Sequence, residues 1–321
     1  MDNSLLSRPK SETVTDVAFA INCTTLDPAV EGFVQASLSA NTQRAYLSDL
    51  AQFEGCGGTV PASPEMVASY IASQASALSV ATLQRRLASI SKAHTARRLP
   101  NPVSAELVRA TMRGIRRTNS KAVKEAQPLL RDDLLAVLDR IGDTIRDARD
   151  RALLLIGFAG GFRRSELVGL DTTDIASVRQ GIVITLRRSK TDQLGVGRQL
   201  GIPFGRARHC PVRALEEWLA SSKIETGPIF RPVSQSGIVA AGRLSGEAVA
   251  LIVKERVAVV GIDPVRFSGH SLRAGFATSA VMAGVSTGKI RAQTGHASDA
   301  MLSRYVRDGE LFIGNAIGAL L

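Results

Sequence analysis

Tyr305 is one of three tyrosines in a chain of 321 residues, and it stands between Arg304 and Arg307 in "SRYVR". A phenol in that position is either a half-buried aromatic or a nucleophile. Met301, Leu302 and Val306 could supply the apolar face of the segment without it. Four upstream segments bear on the choice. In "GGFRRSELVGL", Arg163 and Glu166 lie three apart at a helix start. The carboxylate can orient the guanidinium, whose planar fork suits a phosphate. A surface helix with an ion pair at that spacing is spelled the same way. Lys190 in "RRSKTDQ" falls at a hairpin turn, where a lysine can give a proton to a leaving oxygen or simply stay solvated. "GHSLRAGFAT" puts His270 and Arg273 three apart, hence on one helical face, with Leu272, Phe276 and Ala277 turned elsewhere. A cap histidine beside a surface arginine would read identically. His296 opens "HASDAMLSRYV", across a short turn from the helix that carries Tyr305. The chain has four histidines, and two of them follow a glycine near this end.

Together these groups make one chemistry. A tyrosine hydroxyl can attack a phosphodiester and form a covalent phosphotyrosine. The transition state spreads negative charge over phosphoryl oxygens, which arginines and a histidine on a rigid frame can stabilise. A lysine can protonate the departing 5′ oxygen. The cations take the place of metals, so neither a metal, ATP nor any other cofactor is expected. There is no P-loop, no HExxH, no GxSxG elbow and no acidic cluster spaced for two metals.

The elements that must hold these residues follow from pattern. Residues 1–25 read as polar and poorly ordered. Four helical segments come next. "SANTQRAYLSDLAQFEG" starts at Asn41 or Thr42 and carries a stripe of Tyr46, Leu47, Leu50 and Phe53. "SPEMVASYIASQA" has Ser63 at the cap and Pro64 at the first helical position. "SVATLQRRLASISKAHTARR" faces inward with Leu83, Leu87 and Ile90, leaving Arg85 and Arg86 off that face. "SAELVRATMRGIRRTNS" begins at Ser104 and turns Leu107, Met112 and Ile115 inward, with Arg109, Arg113 and Arg116 on another side. "TNSKAVKEAQP" is basic, polar and closed by proline, which predicts a linker over 119–128. Helices then follow at about 130–141 and 144–160, and "GIVITLRRSKTDQLGVGRQLGIPF" reads as two strands around a turn. Further helices are expected near 211–221, 245–260, 268–283, 286–293 and 298–307. The expected fold is mainly α: a four-helix domain over 26–118, and a mostly helical domain with a small antiparallel sheet over 129–321.

Charge points to the partner. Forty Lys and Arg oppose 29 Asp and Glu, for a net charge of +11. The excess is concentrated between residues 85 and 124, where Arg85, Arg86, Arg113, Arg116, Arg117, Lys121 and Lys124 are the candidate contacts to a phosphate backbone. A solvated basic surface is the bland alternative. The apolar fraction of 45% suits a soluble globular chain. "ALLLIGFAGGF" stops at Arg163, short of the roughly 20 residues of a membrane span. The first residues carry acids and no apolar signal core, and Cys23, Cys56 and Cys210 make neither a disulfide framework nor a zinc pattern. A cytoplasmic location without membrane contact is expected.

The ordered set Arg163, Lys190, His270-x-x-Arg273, His296 and Tyr305 resembles the tyrosine recombinase family of phage integrases, Xer proteins and Cre. "GFRRSELVGL", "HSLRAGFAT" and "TGHASDAMLSRYV" look like the three signature boxes of that family, in family order. The four-helix pattern and "SRYVRDGELF" are most similar to Cre. The resemblance implies that Arg163 is the first catalytic arginine with Glu166 its supporting acid, and that Lys190 is the hairpin lysine. It implies that His270, Arg273 and His296 bind phosphate or move protons, and that Tyr305 is the nucleophile. Arg164, at a position usually apolar in the family, competes with Arg163 for its assignment. A site-specific DNA recombinase is implied, with a helical core-binding domain and a catalytic domain gripping duplex DNA as a C-shaped clamp. Sites built as inverted repeats and a tetramer in the synapse follow from the same likeness. "LFIGNAIGALL" would be a tail docking on a neighbouring protomer. The alternatives are a type IB topoisomerase-like nicking and rejoining enzyme, and a catalytically silent DNA-binding protein of the same fold.

Overall fold

Three serines start three of the helices in the N-terminal part of the chain. Ser39, Ser63 and Ser79 each turn a side-chain oxygen onto the backbone N–H three residues on, supplying one of the donors a helix start leaves unpaired. In the computed structural model these caps open α1 (Ala40–Gly55), α2 (Pro64–Gln74) and α3 (Val80–Ala96). The structure describes residues 37–119, 126–187, 197–205, 208–296 and 298–310, with Asp27, Val30 and Phe33; at 304 and 306–310 it describes the backbone alone. The chain divides into two compact units, residues 1–124 and 125–321.

The first unit is helical. Leu50 and Phe53 of α1, Val67 and Ile71 of α2, and Leu83, Leu87 and Ile90 of α3 meet Val108, Met112 and Ile115 of α4 (Glu106–Thr118) in one core. A single 3₁₀ turn, Pro102–Ser104, precedes α4, so the helix begins two residues later than the sequence pattern suggests. Its inward stripe is Val108, Met112 and Ile115, at spacings of four and three, whereas Leu107 is 47% exposed. Arg113, Arg116 and Arg117 line the exposed side of the same helix.

Arg86 corrects the sequence reading. It is only 9% exposed, and its Nη1 donates to the Tyr70 hydroxyl at 2.7 Å. Asp49, also buried, accepts from Ser89 Oγ at 3.0 Å and pairs with Arg85 at 3.0 Å and with Arg86 Nε at 3.9 Å. A buried carboxylate needs such partners to stay charged, and Arg86 is drawn inward to provide one. Its guanidinium is engaged inside the helical unit and is not displayed with the exposed arginines. Arg85, one residue earlier, keeps its head at the surface.

The second unit is built around α6 (Ile145–Ala159), whose residues Ala152–Ile156 are all buried. Thr144 and Asp147 cap its start reciprocally. α5 (Arg131–Asp139), α8 (Pro211–Ser222), α9 (Gly246–Val259) and α10 (Ser271–Met282) complete the helical layer around it. Asp150, fully buried on α6, receives both Nε and Nη2 of Arg149 and both Nε and Nη2 of Arg256 from α9. The Arg256 contact ties α9 to α6, while Arg149 satisfies the other oxygen from within α6. Leu129 crosses α10 at Gly275, where an added Cβ would overlap the Leu129 carbonyl, and Leu129 N–H donates to Ser271 O at 3.0 Å.

A short helix, α7 (Arg164–Gly169), leads into the sheet. The sheet is antiparallel in the order β1 (Ile175–Val178), β2 (Gly181–Leu186), β3 (Arg198–Pro203). Ile175 pairs with Ile184, and Leu186 with Arg198. The sequence pattern predicts two strands; β1 escapes it because only Ile175 of its four residues is even half-buried. Two further helices, α11 (Thr287–Thr294) and α12 (Asp299–Glu310), pack against α10 around Ala277, Val281, Ile290, Leu302 and Tyr305. No helix among the described residues is long and apolar enough to cross a membrane.

Candidate active site

A cleft of about 320 Å³ opens between α10, α12 and the start of α7, and its walls include Arg163, His270, Arg273, His296 and Tyr305. Five residues scattered over 143 positions of sequence are thereby assembled at one place. Lys190 lies outside the described residues, in the connection between β2 and β3. Lys121, Lys124 and the apolar tail after Glu310 also lie outside them.

Tyr305 belongs to two environments. Its ring is 8% exposed and packs with Leu302, Ala277 and Ile290. Its hydroxyl reaches the cleft, where it lies 3.0 Å from His270 Nε2. The rings of Tyr305 and His296 are 5.8 Å apart, tilted by 43°. Leu302 and Tyr305, three apart, form the inward stripe of α12, whereas Met301 is exposed. His270 is the N-cap residue of α10, an exposed position from which its imidazole meets α12.

Arg273, one turn into α10, is 1% exposed. Its Nη1 donates to the carbonyls of Gly161, at 2.7 Å, and Thr294. Its Nη2 has no hydrogen-bond partner among the described residues. A buried guanidinium with one unsatisfied arm is unusual and asks for an acceptor. Burial and the neighbouring Arg163 bring its pKa down to about 10, so it remains a cation at neutral pH.

Arg163 occupies the cap position of α7. Its own N–H donates to Glu166 Oε2 at 2.9 Å, and its Nη1 donates to Glu166 Oε1 at 2.6 Å. Nη2 reaches the Gly295 carbonyl at 3.5 Å. Backbone and side chain are thus held by one buried carboxylate. Arg164 is exposed and turns the other way, its stem against Gly269 and Gly246. Arg163, not its neighbour, lines the cleft.

His296 follows Gly295, which closes α11 in the left-handed conformation at φ 67°. Its Nδ1 lies 2.7 Å from Thr294 Oγ1, and that hydroxyl donates to Ile290 O at 2.7 Å. With the Thr294 proton committed, the imidazole must donate from Nδ1, which leaves the lone pair on Nε2. Burial first, then Arg273, Arg163, His270 and Arg198, depress its pKa to about 3. His296 is a neutral imidazole at physiological pH.

Two members of the site were not singled out from sequence. Thr294 fixes the His296 tautomer. Arg198, the first residue of β3, lies 3.7 Å from Glu166 Oε2 and donates to Gln293 O at 3.1 Å. Thr294 opens the box "TGHASDAMLSRYV" without a chemistry of its own to mark it, and Arg198 carries no periodic or motif signal.

Comparison with known proteins identifies the family. The sequence profile of the phage integrase family matches residues 128–310. An integrase/recombinase XerD homologue of Selenomonas ruminantium is 39% identical over 298 residues, covering 89% of this chain and 87% of its own length. Recombinase Cre of Escherichia phage P1 is 27% identical over 269 residues, 77% of either chain. In fold, the chain resembles lambda integrase in a crystal structure bound to DNA, with a TM-score of 0.62 at 16% identity, covering 93% of this chain and 97% of that one. The chain therefore belongs to the phage integrase family, the tyrosine recombinases.

Proposed function

We propose that this tyrosine recombinase cuts and rejoins duplex DNA at specific sites through a 3′-phosphotyrosine on Tyr305. The observation that carries the reading is the Tyr305 hydroxyl, 3.0 Å from His270 Nε2 at the edge of a cleft walled by Arg163, Arg273 and His296. Tyr305 Oη attacks the scissile phosphorus while His270 accepts the phenolic proton. The P–O5′ bond breaks, and Lys190 supplies the proton that the leaving 5′ oxygen takes up. Arg163 and the open Nη2 of Arg273 each bind non-bridging oxygens, where negative charge accumulates. Neutral His296 completes the shell as a hydrogen-bonding group whose protonation does not compete with the arginines. A 5′ hydroxyl from another strand then attacks the phosphotyrosine and gives its proton to Lys190; the bond from phosphorus to Tyr305 Oη breaks, His270 returns the phenolic proton, and the new junction is sealed.

The exposed arginines of α4 and Arg85 supply phosphate contacts from the helical unit, as Lys121 and Lys124 would from the stretch of sequence that follows α4. Duplex DNA with inverted-repeat sites is the partner, four protomers make the synapse, and the work is done in the cytoplasm. The test is covalent trapping on a nicked duplex whose sequence the protein has selected from a random pool. Wild type should form a protein–DNA adduct resistant to denaturation, and Tyr305→Phe should bind the same duplex without forming one. An adduct formed by Tyr305→Phe would put the nucleophile elsewhere. Plasmid relaxation without strand exchange between two selected sites would favour the topoisomerase-like alternative.

A further inference from the structure

Glu166 lies between the guanidiniums of Arg163 and Arg198, and it is 6% exposed. One side holds Arg163. The other faces Arg198, whose side chain is also largely withdrawn from water. Arg198 spans from this carboxylate to the end of α11, where its Nη1 donates to Gln293 O at 3.1 Å and Ala292 O at 3.4 Å. Those carbonyls immediately precede Thr294, Gly295 and His296. Thr294 O is an acceptor of Arg273, and Gly295 O an acceptor of Arg163.

Gly295 makes the approach possible. A Cβ there would fall inside the Arg198 guanidinium, and the φ of 67° is itself costly for any other residue. The guanidinium therefore lies against bare backbone at the turn from which His296 projects. Its base is fixed as well: Arg198 opens β3 and pairs with Leu186 at the last rung of the β2–β3 ladder. The connection that carries Lys190 leaves the sheet from that rung.

We propose that Arg198 is a positioning residue for strand cleavage: it braces Glu166 against the α11–His296 turn and pins the β2–β3 hairpin to the same point. The proposal rests on the reading of the cleft given above. Arg198 itself need not touch DNA. The residue joins three segments that are distant in sequence: its guanidinium meets the Glu166 that orients Arg163 and the turn that presents His296, and its backbone closes the β2–β3 ladder. Its charge acts through space on His296, which faces Arg163, Arg273 and His270 as well. Removing the brace loosens two phosphate-binding groups together, and displacement on the scale of 1 Å costs about 10²-fold in rate.

Two variants and two measurements decide it. Arg198→Met keeps the length of the side chain and removes its charge and donors. Arg198→Lys keeps the charge and can satisfy fewer acceptors. At saturating nicked duplex, Arg198→Met should form the covalent adduct about 10- to 100-fold more slowly than wild type. Its Kd for the duplex should stay within about threefold, well inside that loss. Arg198→Lys should recover part of the rate. In the DNA-free protein, the ¹⁵N signals of His296 should titrate at higher pH in Arg198→Met than in wild type, with the lysine variant between them. An adduct rate equal to wild type in Arg198→Met overturns the proposal. So does an unmoved His296 titration, since a purely structural loss would lower the rate through the folded fraction and leave the imidazole alone. A wild-type protein that forms no adduct would refute the reading of the cleft instead, and the His296 titration then decides the brace by itself.

Discussion

Tyr305 and His270 come together across the contact between α12 and the start of α10, with 3.0 Å between the phenolic oxygen and Nε2, although 34 residues separate them in sequence. The packing of the Tyr305 ring is what aims its hydroxyl. An exposed tyrosine at the same point on α12 would sample many directions, whereas a ring wedged among Leu302, Ala277 and Ile290 has one.

In the mechanism proposed above, His270 takes the proton of Tyr305 across this contact. His270→Gln should slow adduct formation by about 10²- to 10⁴-fold, the usual scale for a lost acid–base group. DNA affinity should change little, because the residue sits at a helix cap and holds no part of the core. Single-turnover cleavage with gel-resolved adduct reads the rate. A variant that cleaves at the wild-type rate would remove His270 from proton transfer.

Arg273 is expected to be the least replaceable cation. Arg273→Lys keeps a charge, but its compact ammonium lacks the planar fork that holds Gly161 O and Thr294 O with one arm and leaves the other arm for a phosphate oxygen. The adduct rate should fall by about 10²- to 10³-fold, as when one preorganised oxyanion donor is lost. Stability should also drop, by about 1–3 kcal/mol, because a buried carbonyl is left without a partner. Urea unfolding alongside the cleavage assay separates the two effects. Full activity in the lysine variant would contradict the fixed geometry.

The depressed pKa of His296 has a consequence for acid stability. Its folded value of about 3 lies below the ordinary 6.5. Between those values the unfolded chain binds a proton that the folded chain does not, so the stabilisation is complete above about pH 6.5 and declines as pH falls toward 3. His94, buried in the first unit, shifts in the same direction because of its own burial. His296→Asn cannot titrate, and its urea midpoint should fall less steeply than that of wild type from pH 7 to pH 4. Parallel slopes for the two proteins would show that His296 is not neutral in the fold.

The basic stretch divides into two kinds of arginine. Exchanging Arg113, Arg116 and Arg117 for Gln should weaken DNA binding. It should also flatten the dependence of log K on log salt by about 0.9 for each phosphate that the variant no longer neutralises. Arg113 already pairs with Glu106, so its share should be the smallest of the three. Arg86→Met should leave the salt slope unchanged and instead destabilise the helical unit by about 1–3 kcal/mol, since the Tyr70 hydroxyl and Asp49 lose a buried partner. Fluorescence anisotropy titrations at three salt concentrations distinguish these outcomes. A salt slope that stays fixed in the triple variant would place α4 away from DNA.

Much of the helical frame is legible in the sequence, because periodicity, serine caps and proline breaks are local. Ser63 and Pro64 announce α2, and Leu83, Leu87 and Ile90 announce the buried side of α3. The reading fails where local rules are outvoted. Arg86 goes inside because a distant Asp49 and Tyr70 need it. Leu107 goes outside because the buried stripe of α4 runs through Val108, Met112 and Ile115. β1 is hardly buried, so it leaves no alternating pattern.

The sequence by itself determined which chemical groups the chain owns, in what order they occur, and that they suit phosphoryl transfer to a tyrosine. Tertiary structure decided which arginine of the Arg163–Arg164 pair lines the cleft, and that Tyr305 is at once a core ring and a hydroxyl beside His270. It alone set the tautomer of His296, through Thr294, and brought Arg198 to Glu166. These depend on distances between elements far apart in the chain, and such distances are fixed only when side chains pack to solid density around Ala277, Ile290 and Gly275.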